Sequence, residues 1–279
     1  MIRKYKLAAV QTNSGTDKEA NWKFIEAAID EAAANGAKLV SFPETVNRRR
    51  GTQEDNAPAP ESRDDSPTLR LFQRKAKEHG IYIHCGSFGL KTEDPEDPRT
   101  YNTSFVVDPK GEVIGEYRKI HPFDVTLPSG TAVRESARCK PGKEVVVVDT
   151  ELGKLGLSVC YDMRFPELYR KMALMGAQLL FVPSNFTMVT GKDHWDVLLR
   201  ARAIENNCYV VAAAQYGGPV AASFGNSLVA DPWGLVISRA QERPGIIYAD
   251  IDLDYVDECR ASLGSLSNRR PDICDTLEV

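Results

Sequence analysis

The sequence predicts an α/β protein built on mixed sheets, at least one of them covered by helices. Three observations carry this. Short apolar runs with strand character alternate with longer runs whose apolar residues recur at helical spacing. Two pairs of strands are joined by tight turn chemistry, which adds hairpins to the βα units. The chain has 279 residues, 42% of them hydrophobic, and no shift in composition marks a linker. Residues 1–279 therefore read as a single domain with one large core.

Each element has its own justification. Lys6 to Gln11 reads as a first strand. Thr16-Asp-Lys-Glu19 has the form of a capping box, and Trp22, Ile25, Ala28, Ile29 and Ala32 keep an apolar helical stripe that Gly36 ends. Lys38 to Phe42 is a short strand that runs into Pro43-Glu44. Asn47 to Asp65 is polar and proline-bearing, a long surface loop. Ser66-Pro67 opens a second helix that reaches Gly80, and Ile81 to Phe88 is the next strand. Ser104–Val107 and Glu112–Tyr117 flank the turn residues Asp108-Pro-Lys-Gly111 and form a hairpin. Lys119 to Lys143 shows no regular pattern, and loops of that length are usually functional or disordered.

The second half repeats the mixture without a fixed period. Val145–Val148 and Leu155–Cys160 are strands, Pro166 opens a helix, and Gln178 to Val182 is a strand. His194 to Asn206 is helical by period, with Trp195, Leu198, Leu199 and Ala203 on one side. Cys208 to Ala214 is a fully apolar strand. A hairpin around Asp231-Pro-Trp-Gly234, a strand at Ile246–Ile251 and a short helix at Leu253–Arg260 follow. The polar tail after about residue 266 reads as a C-terminal arm. The tally is roughly a dozen strands and five helices.

Composition excludes several function classes. The net charge of -4 leaves no basic surplus for nucleic acid or an acidic membrane surface. No run reaches the ~18 apolar residues that span a bilayer. Met1 to Lys6 is not followed by a signal-type apolar segment, so a cytoplasmic location is expected. Without a secretory signal, the six cysteines are expected to be free thiols. The four histidines show no metal-ligand spacing, and no metal or organic cofactor is expected. Asn102-Thr-Ser and Asn185-Phe-Thr match glycosylation sequons, which in a cytoplasmic protein are chance.

The chemistry gathers at strand ends. Gly153 to Arg170 reads as a buried strand, a tight turn carrying Cys160, and a helix opened by Pro166. Ligands of open α/β sheets bind at that edge. A helix amino end and a nearby lysine lower a thiol's pKa, so Cys160 is expected to be activated there. Glu44 follows the strand Leu39–Phe42, and Lys119 follows Val113–Arg118. If these strands lie in register, one edge gathers a carboxylate, an ammonium and a thiol. Position alone leaves the assignment open, because strand-end Glu and Lys are mostly solvated and an apolar-flanked Cys is mostly inert core.

Pro43-Glu44, Tyr117-Arg-Lys119-Ile-His121 and Cys160-Tyr-Asp-Met-Arg-Phe-Pro-Glu167 resemble the three signature stretches of the nitrilase-like carbon–nitrogen hydrolase superfamily, in its order and spacing. The likeness continues through Ser184-Asn185-Phe186, His194-Trp195, Arg200 to Asn206 and Asp231-Pro-Trp-Gly234, and so covers nearly the whole chain. Cys160 to Leu168 with Leu198 to Glu205 is similar to the deaminated-glutathione amidase and omega-amidase branch. True nitrilases usually carry a Trp-Glu pair after the cysteine, from which Tyr161-Asp162 departs, so amides are expected rather than nitriles. The resemblance implies a four-layer α-β-β-α sandwich with two mixed sheets, and a homodimer or larger assembly paired through helices near the nucleophile.

It also implies roles. Glu44 would be the general base, Cys160 the nucleophile, Lys119 the oxyanion partner, and Glu135 a second glutamate that orients the lysine. The N–H of Tyr161 would be a further oxyanion donor. The expected reaction is hydrolysis of a small carboxylate-bearing amide, through a cysteine thioester, to a carboxylic acid and ammonia. Arg164 is a carboxylate-binding candidate, because guanidinium forks grip carboxylates. Asn185 and Phe186 are candidates to line the pocket. Arg48-Arg49-Arg50, shortly after Glu44, is a second carboxylate-binding candidate, for which surface ion pairs are the favoured reading. Other readings are an N-carbamoyl-amine or aliphatic amide hydrolase on the same triad, a Cys–His hydrolase using His121 or His194, or a silent binding protein. The histidines themselves read as structural, His121 bracing the loop beside Lys119 and His194 packing or capping.

Overall fold

A computed structural model describes residues 1–49, 60–126, 130, 132–218 and 222–274. The first sheet forms from β1 (Lys4–Gln11), β2 (Ala37–Ser41), β3 (Tyr82–His84), β4 (Phe88–Lys91), β5 (Thr100–Val107) and β6 (Val113–Arg118). A small hairpin follows, β7 (Asp124–Thr126) with β8 (Ala132–Arg134). The second sheet takes β9 (Val147–Thr150), β10 (Gly153–Leu157), β11 (Leu179–Phe181) and β12 (Tyr209–Ala212), then, past a two-stranded pair β13 (Tyr216–Gly217) and β14 (Ser223–Phe224), β15 (Leu228–Ala230) and β16 (Val236–Arg239). The last strand, β17 (Gly245–Asp252), returns to the first sheet, antiparallel to β1.

Helices α1 (Lys18–Ala34), α2 (Pro67–His79), α3 (Pro166–Leu174), α4 (Met188–Asn206), α5 (Leu253–Leu263) and α6 (Pro271–Cys274) complete the set. Side-chain alternation sorts the layers. On β1, Ala8 and Val10 face α1 and α2, where they pack with Ile25, Ile29, Leu69 and Phe72. Leu7 and Ala9 face the other way and share a core with Leu155, Leu157, Leu179 and Phe181 of the second sheet. The far face of that sheet is covered by Leu168 and Met172 of α3 and Trp195, Leu199 and Ala203 of α4. The four-layer α-β-β-α sandwich with two mixed sheets is the architecture found.

Each sheet has three consecutive parallel strands at its heart, β1-β2-β3 in one and β10-β11-β12 in the other. Their carboxyl ends lead into Thr12, Glu44 and Cys85, and into Cys160, Ser184 and Gln215. A pocket at such strand ends draws from both halves of the chain.

Several expectations are corrected. Asp17, not Thr16, caps α1 and accepts the N–H groups of Glu19 and Ala20. The strand expected over Ile81–Phe88 is broken into β3 and β4. Gly86 (φ 65°) sits against Pro43, whose carbonyl oxygen would be 2.1 Å from any Cβ there. The break lets Ser87 N–H donate to Pro43 O, bracing the segment that carries Glu44. Helix α4 begins at Met188 rather than His194; exposed Met188 and Val189 and the Gly191 under Phe224 hide the period there. The stretch after Lys119 holds β7, β8 and a 3₁₀ turn at Glu135–Ala137. The tail carries α6, so the helices number six among the described residues. The five cysteines whose side chains are described carry free thiols.

Candidate active site

Glu44, Lys119, Glu135 and Cys160 meet in one buried cluster. Lys119 Nζ lies 3.0 Å from Glu44 Oε1 and 2.9 Å from Glu135 Oε2. Glu44 is held on both oxygens: Asn102 Nδ2 donates to Oε1 and the Asn185 main-chain N–H to Oε2, each at 2.8 Å. Glu135 faces two ways. It accepts from Lys119 and also from the main-chain N–H of Phe123 at 2.5 Å, closing the base of the β7–β8 hairpin. Burial alone would lower the Lys119 ammonium, but the charges of Glu44 and Glu135 outweigh it and hold that pKa well above the ordinary lysine value.

Cys160 sits at the turn after β10 in a left-handed conformation, φ 51°, with its N–H bonded to Pro183 O. Its thiol is pushed well above the usual range, first by burial and then by the charge of the Glu44 carboxylate. Lys119 and the Asn185 N–H act in the opposite direction and do not prevail. Lys119 does lower the thiol as expected, but the net lowering expected of an activated thiol is not what burial and Glu44 leave. A protonated thiol near a carboxylate has an acceptor at hand for its proton.

One further carboxylate fixes the geometry. Asp162, fully buried, accepts Val159 N–H (2.8 Å) from the turn that carries Cys160 and Tyr117 Oη–H (2.7 Å) from beside Lys119. It also accepts the His121 main-chain N–H at 3.0 Å and faces His121 Nδ1 at 2.7 Å. His121 stacks on Phe165 with centroids 3.7 Å apart, so it braces the loop.

The remaining candidates form a rim. The Tyr161 ring packs edge-on against Phe123 and Phe165. The Arg164 guanidinium lies over the Tyr161 and Phe186 rings, at 5.7 and 5.4 Å, and donates to His194 Nδ1. Arg164 pairs with no carboxylate among the described residues. Phe186 is buried against Trp195, and Asn185 Oδ1 accepts from Ser223 Oγ. Arg49 does not lie on the surface. It is buried, donates to Gly217 O (2.8 Å) and Ser223 Oγ (2.9 Å), and burial lowers its pKa to about 10. Arg48 is half-buried, and Arg50 lies outside the described residues.

Sequence reasoning missed Asn102, Asp162, Gln215 and Ser223. Asn102 is visible only as part of a chance sequon, and Asp162 only as a neighbour of Cys160. Among the described residues, one group has metal-like closeness: Asp30, Glu78 and His79 on the surface. The Lys75 ammonium already pairs with both of those carboxylates. No described helix is long and apolar enough to cross a membrane.

The sequence profile of the family described as Carbon-nitrogen hydrolase matches residues 6–261. The chain belongs to the carbon-nitrogen hydrolase family. Within it, the chain is 41% identical over 275 residues to mouse deaminated glutathione amidase, covering 97% of this chain and 85% of that protein. It is similarly 41% identical to the Caenorhabditis elegans nitrilase and fragile histidine triad fusion protein NitFhit, of whose length it spans 61%. The crystal structure of NitFhit superposes with a TM-score of 0.84 over 97% of this chain and 66% of that one, at 38% identity. A mutant amidase from Nesterenkonia sp. AN1 aligns at 26% identity and a TM-score of 0.77, over 96% of this chain and 94% of that one. That structure shows covalent addition of the acetamide moiety of fluoroacetamide at the active-site cysteine. This carbon-nitrogen hydrolase thus carries its clustered Glu44, Lys119, Glu135 and Cys160 within the matched span.

Proposed function

We propose that this carbon-nitrogen hydrolase is an amidase that splits a small carboxylate-bearing amide into a carboxylic acid and ammonia. The observation that carries the reading is the contact set around one ammonium: Lys119 between Glu44 and Glu135, with the Cys160 thiol close enough to feel the charge of both Glu44 and Lys119. Glu44 takes the thiol proton as Sγ attacks the amide carbon. Lys119 and the Tyr161 N–H stabilise the oxyanion. The C–N bond breaks, the nitrogen takes the proton from Glu44, and ammonia leaves a thioester on Cys160. Glu44 then accepts a proton from water, whose oxygen attacks the thioester carbon. The acid departs and the sulfur regains its proton.

Arg164, set on the aromatic rim without a carboxylate partner among the described residues, suits a substrate carboxylate. The name of the mouse relative, deaminated glutathione amidase, supports the same class. Cys160→Ala should abolish ammonia release across a panel of acidic amides while circular dichroism stays unchanged. Persisting turnover would exclude the thioester route.

A homodimer belongs to the same reading. Val197 on α4 and Trp233 and Leu235 in the turn between β15 and β16 are 66%, 54% and 62% exposed, an apolar face beside the helix that backs the site. Sedimentation should give twice the chain mass, and Val197→Glu should shift it toward the monomer.

A further inference from the structure

Among the described residues, four that are not glycine have left-handed backbone: Thr45, Cys160, Asn207 and Asn226. Asparagine tolerates that region; a β-branched residue avoids it. Thr45 (φ 54°) is therefore held there by its surroundings, and it directly follows Glu44. Its own Oγ1 donates to Glu44 O at 2.7 Å. The other restraint crosses from the opposite sheet. Gln215 Nε2 donates to Glu44 O at 3.0 Å and reaches Thr45 O at 3.4 Å. Its Oε1 accepts from Thr12 Oγ1 (2.8 Å) and Ser14 N–H (3.0 Å), so the amide cannot turn away. Gln215 is fully buried at the end of the β12 segment, where its neighbours Ala212, Ala213 and Ala214 are all apolar. A lone, fully bonded amide at the end of such a run has a specific task.

We infer that Gln215 is a positioning residue for Glu44, clamping the Glu44–Thr45 turn in a conformation the free chain would leave. The clamp aims the carboxylate at Lys119, Asn102 and the Cys160 thiol. The inference rests on reading Glu44 as the base. Without the clamp, Thr45 relaxes toward an ordinary backbone region and swings the carboxylate away.

The test is steady-state ammonia release from succinamate and acetamide. Gln215→Ala should lower kcat on the order of 100-fold, the scale expected for a base displaced by about 1 Å, with little change in KM. A second substitution separates aiming from packing. In the Gln215→Ala background, Thr45→Gly removes the conflict with left-handed backbone and should recover at least about tenfold of kcat. A merely structural role for Gln215 predicts no such recovery. Gln215→Met, which keeps the volume, serves if the alanine variant does not fold. A single variant with undiminished kcat, or a double variant no faster than the single, overturns the clamp. Glu44→Ala is run alongside: retained turnover there overturns the base reading itself, whereas lost turnover with a fast Gln215→Ala overturns the clamp alone.

Discussion

Asp162 and His121 form a two-point contact, with the His121 main-chain N–H and Nδ1 both on Asp162 Oδ1. Because Tyr117 and His121 flank Lys119, and Val159 and Asp162 flank Cys160, one carboxylate sets the separation of ammonium and sulfur. Asp162→Asn puts an N–H against at least one existing donor. It should lower stability by about 1–3 kcal/mol, the cost of a buried donor left unmade, and reduce kcat. Thermal melts and ammonia release check both; an unchanged melting temperature would contradict the assigned geometry.

Lys119→Ala removes the cation shared by buried Glu44 and half-buried Glu135. Loss of an oxyanion partner costs ~10²–10³ in kcat, and the variant should fall by at least that much. Replacing His121 or His194 should be far milder. The reverse ranking would favour the Cys–His hydrolase.

The state of the nucleophile can be read directly. Thiolate absorbance, corrected with Cys160→Ala, should titrate well above an ordinary thiol, because burial and then the Glu44 carboxylate raise it. Glu44→Gln removes the second cause, so its midpoint should fall. A midpoint already in the acidic range in the unaltered protein would refute the protonated resting state.

His84 makes stability fall in acid. It is fully buried between Ser41 Oγ and Ser104 Oγ, each 2.9 Å from a ring nitrogen, and burial lowers its pKa from 6.5 to about 3. Above pH 6.5 the ring is neutral in both folded and unfolded chains. Below it, the unfolded chain binds a proton that the folded one refuses until about pH 3. The loss accumulates over that window to roughly 4–5 kcal/mol at 1.36 kcal/mol per pKa unit. Denaturant melts from pH 7 to 4 should show this slope, and His84→Gln should flatten it.

Arg164→Ala should raise KM for acidic amides much more than for neutral ones. Equal effects would remove Arg164 from substrate recognition and leave it as rim packing on Tyr161 and Phe186.

The parts of this molecule that were legible in sequence are those written in local chemistry. Ser66-Pro67 and Gly80 bound α2 as expected, since cap, first-turn proline and left-handed stop are all local. The strand ends carrying Glu44, Lys119 and Cys160 were legible for the same reason. What stayed hidden depends on contacts across the chain. Arg49 looked like a surface charge because its partners, Gly217 and Ser223, lie in the other half. The direction of the Cys160 shift depends on burial and on Glu44, neither of which local spacing contains. The β7–β8 hairpin has three-residue strands and an inward tie through Glu135, too little pattern for periodicity to register.

The parallel strands β1-β2-β3 and β10-β11-β12 deliver their ends to one side-chain cluster from separate sheets. During synthesis the first sheet's share emerges with Glu44 and Lys119 but without Cys160, and β17 has yet to complete its edge. The cluster is therefore born late: it closes only when the second sheet docks and brings Cys160 to Glu44 and Lys119.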